Sequence, residues 1–337
     1  MSFFQYLIAR LLLTIPMIFI LATLVFLLLR VMPGDPCLAI HGGRSNKAVL
    51  ERCREKAGLN EPLLVQYVNY LKGIPTLDFG YSFRSNRPVR DEILSKLPAT
   101  LELAVFAMLI SVLLGLVTGA WGAIRSDRPI DHALRVFNIA AFAMPIFWLG
   151  LMFQIVFGIW LGWLPVGGRM DQIADLSFPH PTGFYVLDAI LLGDGEKLLL
   201  VLKHLFLPSL TLGLVLSGVI GRISRANMLE VLHKEYVQTA RAKGLAERRV
   251  ILKHALRNAL IPIVTVIGLQ FAILLGGAVL TETVFNWDGL ARYLIRSIHA
   301  RDYNAIQGFI VFFAVFVSLV NLIVDLLYSR LDPRVRY

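Results

Sequence analysis

Few residues in this sequence combine the type and the spacing that chemistry requires. Glu102 and Asp325 are essentially the only carboxylates inside the long apolar runs, and both stand near the ends of those runs. Proton- or ion-coupled transporters usually keep ionisable groups near the bilayer midplane, because the coupling ion must bind there. The sequence therefore favours packing or capping near the lipid headgroups for both carboxylates, with an ion site as the alternative.

Motifs of enzymes are missing as well. The sequence has no G-x-x-x-x-G-K-[ST] loop for nucleotide phosphates, no H-E-x-x-H and no G-x-S-x-G. His180, His204, His254 and His299 are scattered and are expected at polar interfaces or in loops. We therefore predict no catalytic residue, no metal site and no cofactor bound by this chain. If such a chain moves a solute, its energy must come from another protein.

The two cysteines, Cys37 and Cys53, lie in one segment and lack the spacing of a metal site. A disulfide between them requires that the segment faces an oxidising compartment. The pair is therefore a disulfide hypothesis that depends on the orientation of the chain.

The stretch 235–245 is a short predicted helix inside a basic segment. Gly244 stands where a helix stop is expected, after a run of good helix formers. Tyr236, Val237, Ala240 and Gly244 fall near one face. A solvated basic loop is the alternative interpretation. A narrow face of small residues, Ala240 and Gly244, would fit closely into a groove of a second protein.

The elements around this stretch are apolar. Hydrophobic residues make up 57% of the chain, charged residues only 17%, and the mean hydropathy is +0.68. Soluble domains average about 25% charged residues. About 20 residues of helix cross a hydrocarbon core. We therefore predict an all-α integral membrane protein with six transmembrane helices, near residues 11–29, 100–124, 136–160, 204–221, 259–281 and 305–328.

Charge placement predicts the orientation of these helices. Segment 222–258 holds nine Lys/Arg against three acids, whereas 163–203 holds three against five. Because cytoplasmic loops carry the excess of Lys and Arg, both termini, 125–135 and 222–258 are expected in the cytoplasm. Segments 32–98, 163–203 and 282–304 then face outward. The net charge of +10 is assigned to this asymmetry and to lipid headgroups, not to nucleic acid.

The predicted organisation has three parts. Residues 1–31 form an N-terminal tail and the first span, 32–98 form an extracytoplasmic insertion, and 99–337 form a five-helix core with the cytoplasmic loop 222–258. In the insertion, 61–71 is predicted as an amphipathic helix with Pro62 in its first turn. The apolar run 183–192 is too short to span, and it is expected at the membrane interface before a turn at 193–195.

The basic residues of loop 222–258 have two possible partners. They would bind either an acidic protein or lipid headgroups, and for most of them the lipid interpretation is favoured. The residues concerned are Arg241, Lys243, Arg248, Arg249 and Lys253.

Motifs spread over nearly the whole chain resemble one family. Tyr236-Val-Gln-Thr-Ala-Arg-Ala-Lys-Gly-Leu245, followed by His254-Ala-Leu-Arg-Asn-Ala-Leu-Ile-Pro262, is similar to the coupling-loop signature of ABC importer permeases of the dipeptide/oligopeptide/nickel class. Further similar motifs are Pro33-Gly-Asp-Pro36, Asp78-Phe-Gly80, Leu97-Pro-Ala-Thr-Leu-Glu-Leu103, Pro145-Ile-Phe-Trp148, and Leu280-Thr-Glu-Thr-Val-Phe-Asn-Trp-Asp-Gly-Leu290. The extended second outer loop is most similar to the B-type subunit of dipeptide permeases.

The resemblance implies a fold, partners and a substrate class. It implies the type I ABC importer permease fold in a bacterial inner membrane. The implied partners are a second homologous permease subunit, two cytoplasmic ABC ATPase subunits that bind ATP and Mg, and an extracytoplasmic solute-binding protein. Dipeptides are the first substrate choice, with oligopeptides, glutathione and nickel chelates behind. A secondary transporter or channel, and a membrane scaffold or intramembrane enzyme, stay as alternatives.

The resemblance also assigns a role to the stretch that contacts the ATPase. The implied coupling helix consists of Tyr236, Val237, Gln238, Thr239, Ala240, Arg241, Ala242, Lys243 and Gly244. The general signature of the importers begins with a glutamate where this chain has Gln238. We therefore transfer no acidic contact to that position. Substrate-binding residues are not assigned, because the polar or small residues that could line a pathway could equally pack in the core. These residues are Asn138, Gln270, Gly276 and Gly277.

Overall fold

A computed structural model describes residues 3–31, 37–38, 46–56 and 58–331 of the chain. Within these residues the structure is built from helices, and the only β feature is an isolated bridge between Tyr81 and Pro88. The turn predicted after the first span at 32–36, and the tail from 332 onward, lie outside the described residues.

In chain order, the described helices are α1 (Phe3–Val31), α2 (Lys47–Lys56), α3 (Leu63–Gly73), α4 (Val89–Ile124), α5 (Pro129–Ala143), α6 (Ile146–Phe153, continued by π-helix Gln154–Trp160), α7 (Gln172–Leu176), α8 (Tyr185–Leu191), α9 (Gly195–Leu232), α10 (Glu235–Ala242), α11 (Arg257–Gly277, preceded by Glu247–Arg249 and π-helix Val250–Leu256), α12 (Val279–Val284), α13 (Leu290–His299) and α14 (Tyr303–Leu331).

Four helices are individually long and apolar enough to cross a membrane. They contain the candidate spans Leu12–Val31, Val89–Ile124, Gly195–Leu232 and Tyr303–Leu326. Two bent helix pairs bring the number to six when each pair counts as one span. The predicted all-α membrane fold is confirmed, and the first, second, fourth and sixth predicted spans lie within continuous helices.

The third predicted span is not one straight helix. α5 and α6 meet at an angle of 102°. Met144 has an extended backbone (ψ 131°) because the ring of Pro145 disfavours the helical conformation of the preceding residue. The helix also begins earlier than expected, at Pro129, where a proline is well accommodated in the first turn. The prediction of a loop over 125–135 is therefore wrong beyond residue 128.

The fifth predicted span is bent as well. Its two parts, Glu247–Leu260 and Pro262–Leu275, meet at 51°. A proline inside a helix removes a backbone hydrogen bond and displaces the preceding turn. Since helical structure starts at Glu247, the cytoplasmic loop predicted over 222–258 is shorter than expected, and α9 shortens it further by continuing to Leu232.

The chain divides into two compact units. The first contains the residues up to Pro98 together with Gly289–Leu322, and the second contains Ala99–Asp288 and the helical residues from Ile323 onward. The core of the first unit joins Ala22 of α1, Phe79, Ile93 and Phe309. Within that unit α3 begins after Pro62, which is the N-cap residue and not part of the first turn as predicted. A disulfide joins Cys37 and Cys53.

Close helix contacts organise the second unit. A Cβ added to Gly218 of α9 would lie 2.3 Å from the carbonyl oxygen of Asn138, and one on Gly221 would lie 2.6 Å from the Asn138 side chain. On α4, a Cβ on Gly119 would meet the carbonyl of Gly221 at 2.5 Å. Small residues permit such an approach of helices within membranes. α9 is therefore the helix against which both α4 and α5 pack.

Candidate functional site

The helix predicted at 235–245 exists as α10, Glu235–Ala242. It ends where the sequence predicts, since Gly244 has φ +76° and its N–H donates to the carbonyl of Arg241 at 2.9 Å. A positive φ is accessible to glycine without a steric penalty, which makes glycine the usual residue after a helix. Gly244 therefore terminates the helix, and nothing lies within 4 Å of a Cβ added there.

Three contacts fix α10 to its own chain. Val237 is fully buried and Ala240 is 6% exposed, and both pack with Val250 of the following π-helix. The amide of Asn258 donates to the Tyr236 hydroxyl oxygen at 2.9 Å. The helix is thus attached rigidly to the segment that leads into α11.

The orientation of α10 corrects one expectation. Ala240 is not available to a second protein, because its methyl group is part of the contact with Val250. Arg241 donates to the carboxylate of Glu247 at 2.8 Å, so its guanidinium has a partner within the chain. The opposite side of the helix is exposed. We define the exposed face of α10 as Gln238, Thr239 and Ala242 together with Lys243, the C-cap residue of the helix.

A buried ion pair connects α5 with α9. Asp131 has no exposed surface, and its carboxylate oxygens accept from the Nε and Nη2 of Arg225 at 2.6 and 2.7 Å. The backbone N–H of Asp127 donates to the same carboxylate at 3.1 Å. Sequence reasoning missed this pair because it placed Asp131 in a solvated loop and Arg225 in another. The proline that starts α5 was the available signal that Asp131 is helical.

The second buried ion pair involves Glu102, for which the sequence favours packing or capping near the headgroups. Glu102 is 4% exposed and accepts from Nη2 of Arg169 at 2.8 Å and from the backbone N–H of Val186 at 2.7 Å. The guanidinium of Arg169 lies 3.6 Å from the centre of the Tyr185 ring. This arrangement attaches the outer segment between α6 and α9 to α4. These contacts agree with the packing role that the sequence favours for Glu102.

Three further candidates of the sequence, His204, His180 and Asn138, have structural partners. His204 is 3% exposed, and its Nε2 lies 3.6 Å from Asp171. His180 stacks on Tyr185 with ring centres 4.2 Å apart. Asn138 accepts from Thr118 at 3.1 Å, which places it in the helix packing. In the described part of the chain, no group of three or more His, Cys, Asp or Glu side chains is arranged to hold a metal ion.

The comparisons with known proteins decide the family. Residues 111–337 match the family described as "Binding-protein-dependent transport system inner membrane component", and residues 3–104 match its N-terminal companion. This chain belongs to that family. It is an ABC importer permease subunit, a multi-pass protein of the bacterial inner membrane. Membership implies an ATPase and a binding protein as partners.

Individual relatives match this permease over almost its whole length. It is 43% identical to "Dipeptide transport system permease protein DppB" of Alkalihalophilus pseudofirmus, covering 98% of this chain and 99% of the relative. It is 40% identical to "Glutathione transport system permease protein GsiC" of Escherichia coli K12, covering 99% of each. A solved structure of the MetNI methionine ABC transporter aligns with a TM-score of 0.52 at 14% identity, over 69% of this chain and 93% of that chain. That alignment supports the fold alone.

Proposed function

We propose that this permease subunit imports dipeptides or short peptides that a solute-binding protein delivers. The observation that carries this proposal is the near-complete match to dipeptide permeases, which include the Alkalihalophilus relative and a "Di/tripeptide transport system permease protein DppB" of Pseudomonas aeruginosa at 42% identity. Similarity over 97% or more of each chain includes every segment that would line a pathway.

The proposed assembly contains a second homologous permease subunit, two cytoplasmic ABC ATPase subunits and one extracytoplasmic solute-binding protein. ATP and Mg bind to the ATPase subunits, and this chain binds no cofactor. Both termini and the loop that carries α10 face the cytoplasm, while the insertion 32–98 faces outward. The excess of Lys and Arg in residues 222–258 supports this orientation.

Residues 236–244 are the proposed coupling helix. Val237, Tyr236 and Arg241 attach this helix to the segment that leads into α11. Such an attachment is needed if a movement of the ATPase subunit is to be transmitted to the transmembrane helices. The exposed face of α10 is the surface that the ATPase subunit would contact. This proposal places Gln238 at the ATPase, without the negative charge that other importers carry there.

Uptake of radiolabelled L-alanyl-L-alanine tests the proposed function. The assay uses cells without other peptide permeases, supplied with this chain and its proposed partners. We expect uptake that stops when the ATPase subunits carry an inactivating substitution in their nucleotide site and that survives an ionophore. Uptake that continues with inactive ATPases and collapses with the ionophore would instead show a secondary transporter.

Glutathione is the second candidate substrate, because the GsiC relative matches with 40% identity over the full length. Competition decides between them: an excess of unlabelled glutathione abolishes dipeptide uptake only if the assembled transporter accepts it.

A further inference from the structure

The helix α3 of the insertion exposes apolar side chains in its first two turns. Leu63 is 60% and Leu64 is 74% exposed, and Val65 and Val68 are exposed as well. Val68 follows Leu64 by four residues and Val65 by three, so these side chains are neighbours on the helix surface. A contiguous apolar patch that is exposed on a folded chain indicates a site of interaction.

The opposite side of α3 packs against α1, which contains one of the four continuous candidate spans. The ring centre of Phe26 lies 5.2 Å from that of Tyr67 and 6.0 Å from that of Tyr70. The hydroxyl groups of Tyr67 and Thr23 are hydrogen-bonded at 2.7 Å. α3 therefore lies alongside the membrane helix and not above its end.

These contacts set the level of α3 along the span. The apolar part of α1 ends at Val31, and Phe26 stands five residues before that end. At a rise of about 1.5 Å per residue, Phe26 lies about 7.5 Å inside the end of the span. The Nε of Arg30 donates to the Gln66 side chain at 2.9 Å, which places another part of α3 near the end itself. Amphipathic helices on membranes bury their apolar face to a depth of about 5–10 Å, and α3 lies at that level.

The side of α1 that carries α3 borders an exposed apolar side of the same helix. Leu27 follows Thr23 by four residues and precedes Arg30 by three, so it is a neighbour of both on the helix surface. Leu27 is exposed, and so are Leu24 and Leu28. Since Leu27 lies within the apolar span, lipid that covers it extends to the adjacent α3 at the same level.

The end of α3 suits the headgroup region. Asn69 and Lys72 are exposed, and Lys72 follows Val68 by one turn. A lysine at this level can pack its stem on apolar surface and extend its ammonium group to the phosphates. The neighbouring helix α2 is different, because charged residues occur along its whole length, as is typical of a helix in water. Of these two helices of the insertion, only α3 fits a membrane surface.

We propose that α3 is an interfacial helix, in which Leu63, Leu64, Val65 and Val68 contact the acyl chains of the leaflet on the insertion's side of the membrane. Through its contacts with Phe26, Thr23 and Arg30, it fixes the depth of this end of α1. The inference goes beyond the proposed function, because it does not depend on which solute is transported.

Power-saturation EPR of a spin label tests the level of α3. The label is attached to Val68→Cys in the purified full-length chain, in nanodiscs of phosphatidylethanolamine and phosphatidylglycerol. Cys37 and Cys53 are joined to each other, so the introduced cysteine supplies the thiol that reacts. We expect collisions with oxygen to exceed those with a water-soluble nickel chelate, and a depth of about 5–10 Å below the phosphates.

Two exposed positions are the references for this measurement. Leu24→Cys on α1 reports lipid, and Glu51→Cys on α2 reports water. Because all three side chains are exposed, the substitutions should leave the unfolding temperature unchanged. If the label at Val68 meets the nickel chelate as often as the label at Glu51 does, the proposal is overturned.

A photocrosslinker at Leu64 separates lipid from a second protein as the occupant of this face. p-Benzoyl-L-phenylalanine replaces Leu64 in membranes of cells that express the chain with its proposed partners. We expect an adduct with phospholipid, detected by the intact mass of the chain. An adduct with another protein would assign the face to an interface between subunits and overturn the proposal. The absence of any adduct would place the face in water and overturn it equally.

Discussion

Asp131 at the start of α5 and Arg225 in α9 form a bidentate ion pair, with oxygen–nitrogen distances of 2.6 and 2.7 Å. They are 94 residues apart in the chain. Asp131 is fully buried, and the Arg225 side chain is 20% exposed. The pair fixes the beginning of α5 to the end of α9 that precedes α10, the proposed coupling helix.

Removing one member of this pair should destabilise the protein strongly. Asp131→Ala leaves the Arg225 guanidinium without its partner and the Asp127 N–H without an acceptor. Breaking a buried pair in this way costs about 3–5 kcal/mol. We expect a lower unfolding temperature in detergent. Size-exclusion chromatography of samples heated to increasing temperatures measures it. Asp127→Asn is the control, since Asp127 is exposed and asparagine tolerates its positive φ. Equal unfolding temperatures for both variants would contradict the role of the pair.

The Glu102–Arg169 pair should control the order of the outer segment between α6 and α9. Glu102→Ala removes the acceptor of Val186 N–H and leaves a largely buried guanidinium unpaired, at a cost of about 3–5 kcal/mol. We expect faster cleavage in residues 161–194 during limited proteolysis. Glu196→Gln, an exposed change in the first turn of α9, should leave the cleavage rate as it is. An unchanged rate in Glu102→Ala would show that other contacts hold the segment.

The two faces of α10 should respond differently to substitution. Thr239→Arg on the exposed face should reduce co-purification of the ATPase subunits while the unfolding temperature stays constant, because Thr239 is exposed and its hydroxyl donates to the Glu235 carbonyl of its own helix. Ala240→Leu, one residue away, adds three carbons to the contact with Val250 and should lower stability by about 1–3 kcal/mol. If Thr239→Arg co-purifies as much of the ATPase subunits as the unaltered chain does, this face is not the docking surface.

Gly244 gives a separate test of the helix end. Gly244→Val places a β-branched residue at φ +76°, which costs of order 1–3 kcal/mol in backbone strain. We expect the protein to remain in the membrane and dipeptide uptake to fall. Gly195→Ala serves as the control, because a Cβ there meets nothing within 4 Å and φ is not positive. Normal uptake with Gly244→Val would show that dipeptide uptake does not require this helix end.

The disulfide between Cys37 and Cys53 closes a sequence separation of 16 residues. Closing a loop of that length stabilises by about 3 kcal/mol in the chain-entropy treatment. A double variant, Cys37→Ser and Cys53→Ser, should therefore show lower protection of the α2 amides in hydrogen exchange. The protection of the α10 amides should not change. Alkylation of the unaltered protein without a reductant should modify no thiol. Two modified thiols would show that the segment is not in an oxidising compartment.

Much of the architecture is predictable from local sequence. Sums of hydropathy locate the six apolar segments, because burial in lipid depends on composition over about 20 residues. The helix Glu235–Ala242 and its stop at Gly244 are also predictable, since helix propensity and the freedom of glycine at positive φ are local properties. A sum of hydropathy does not predict the 102° bend at Met144, because it measures how apolar a segment is and not the direction of its backbone.

The sequence by itself determined that this chain crosses the membrane through apolar helices, and it predicted a short helix within 235–245. Tertiary structure decided which groups meet. Asp131 finds Arg225 across 94 residues, and no local pattern records a contact at that distance. Amphipathicity shows that one face of α10 is apolar, but an apolar face packs equally well on a partner or on its own chain. The position of Val250 decides between them, and it turns Ala240 inward and leaves Gln238 and Thr239 outside.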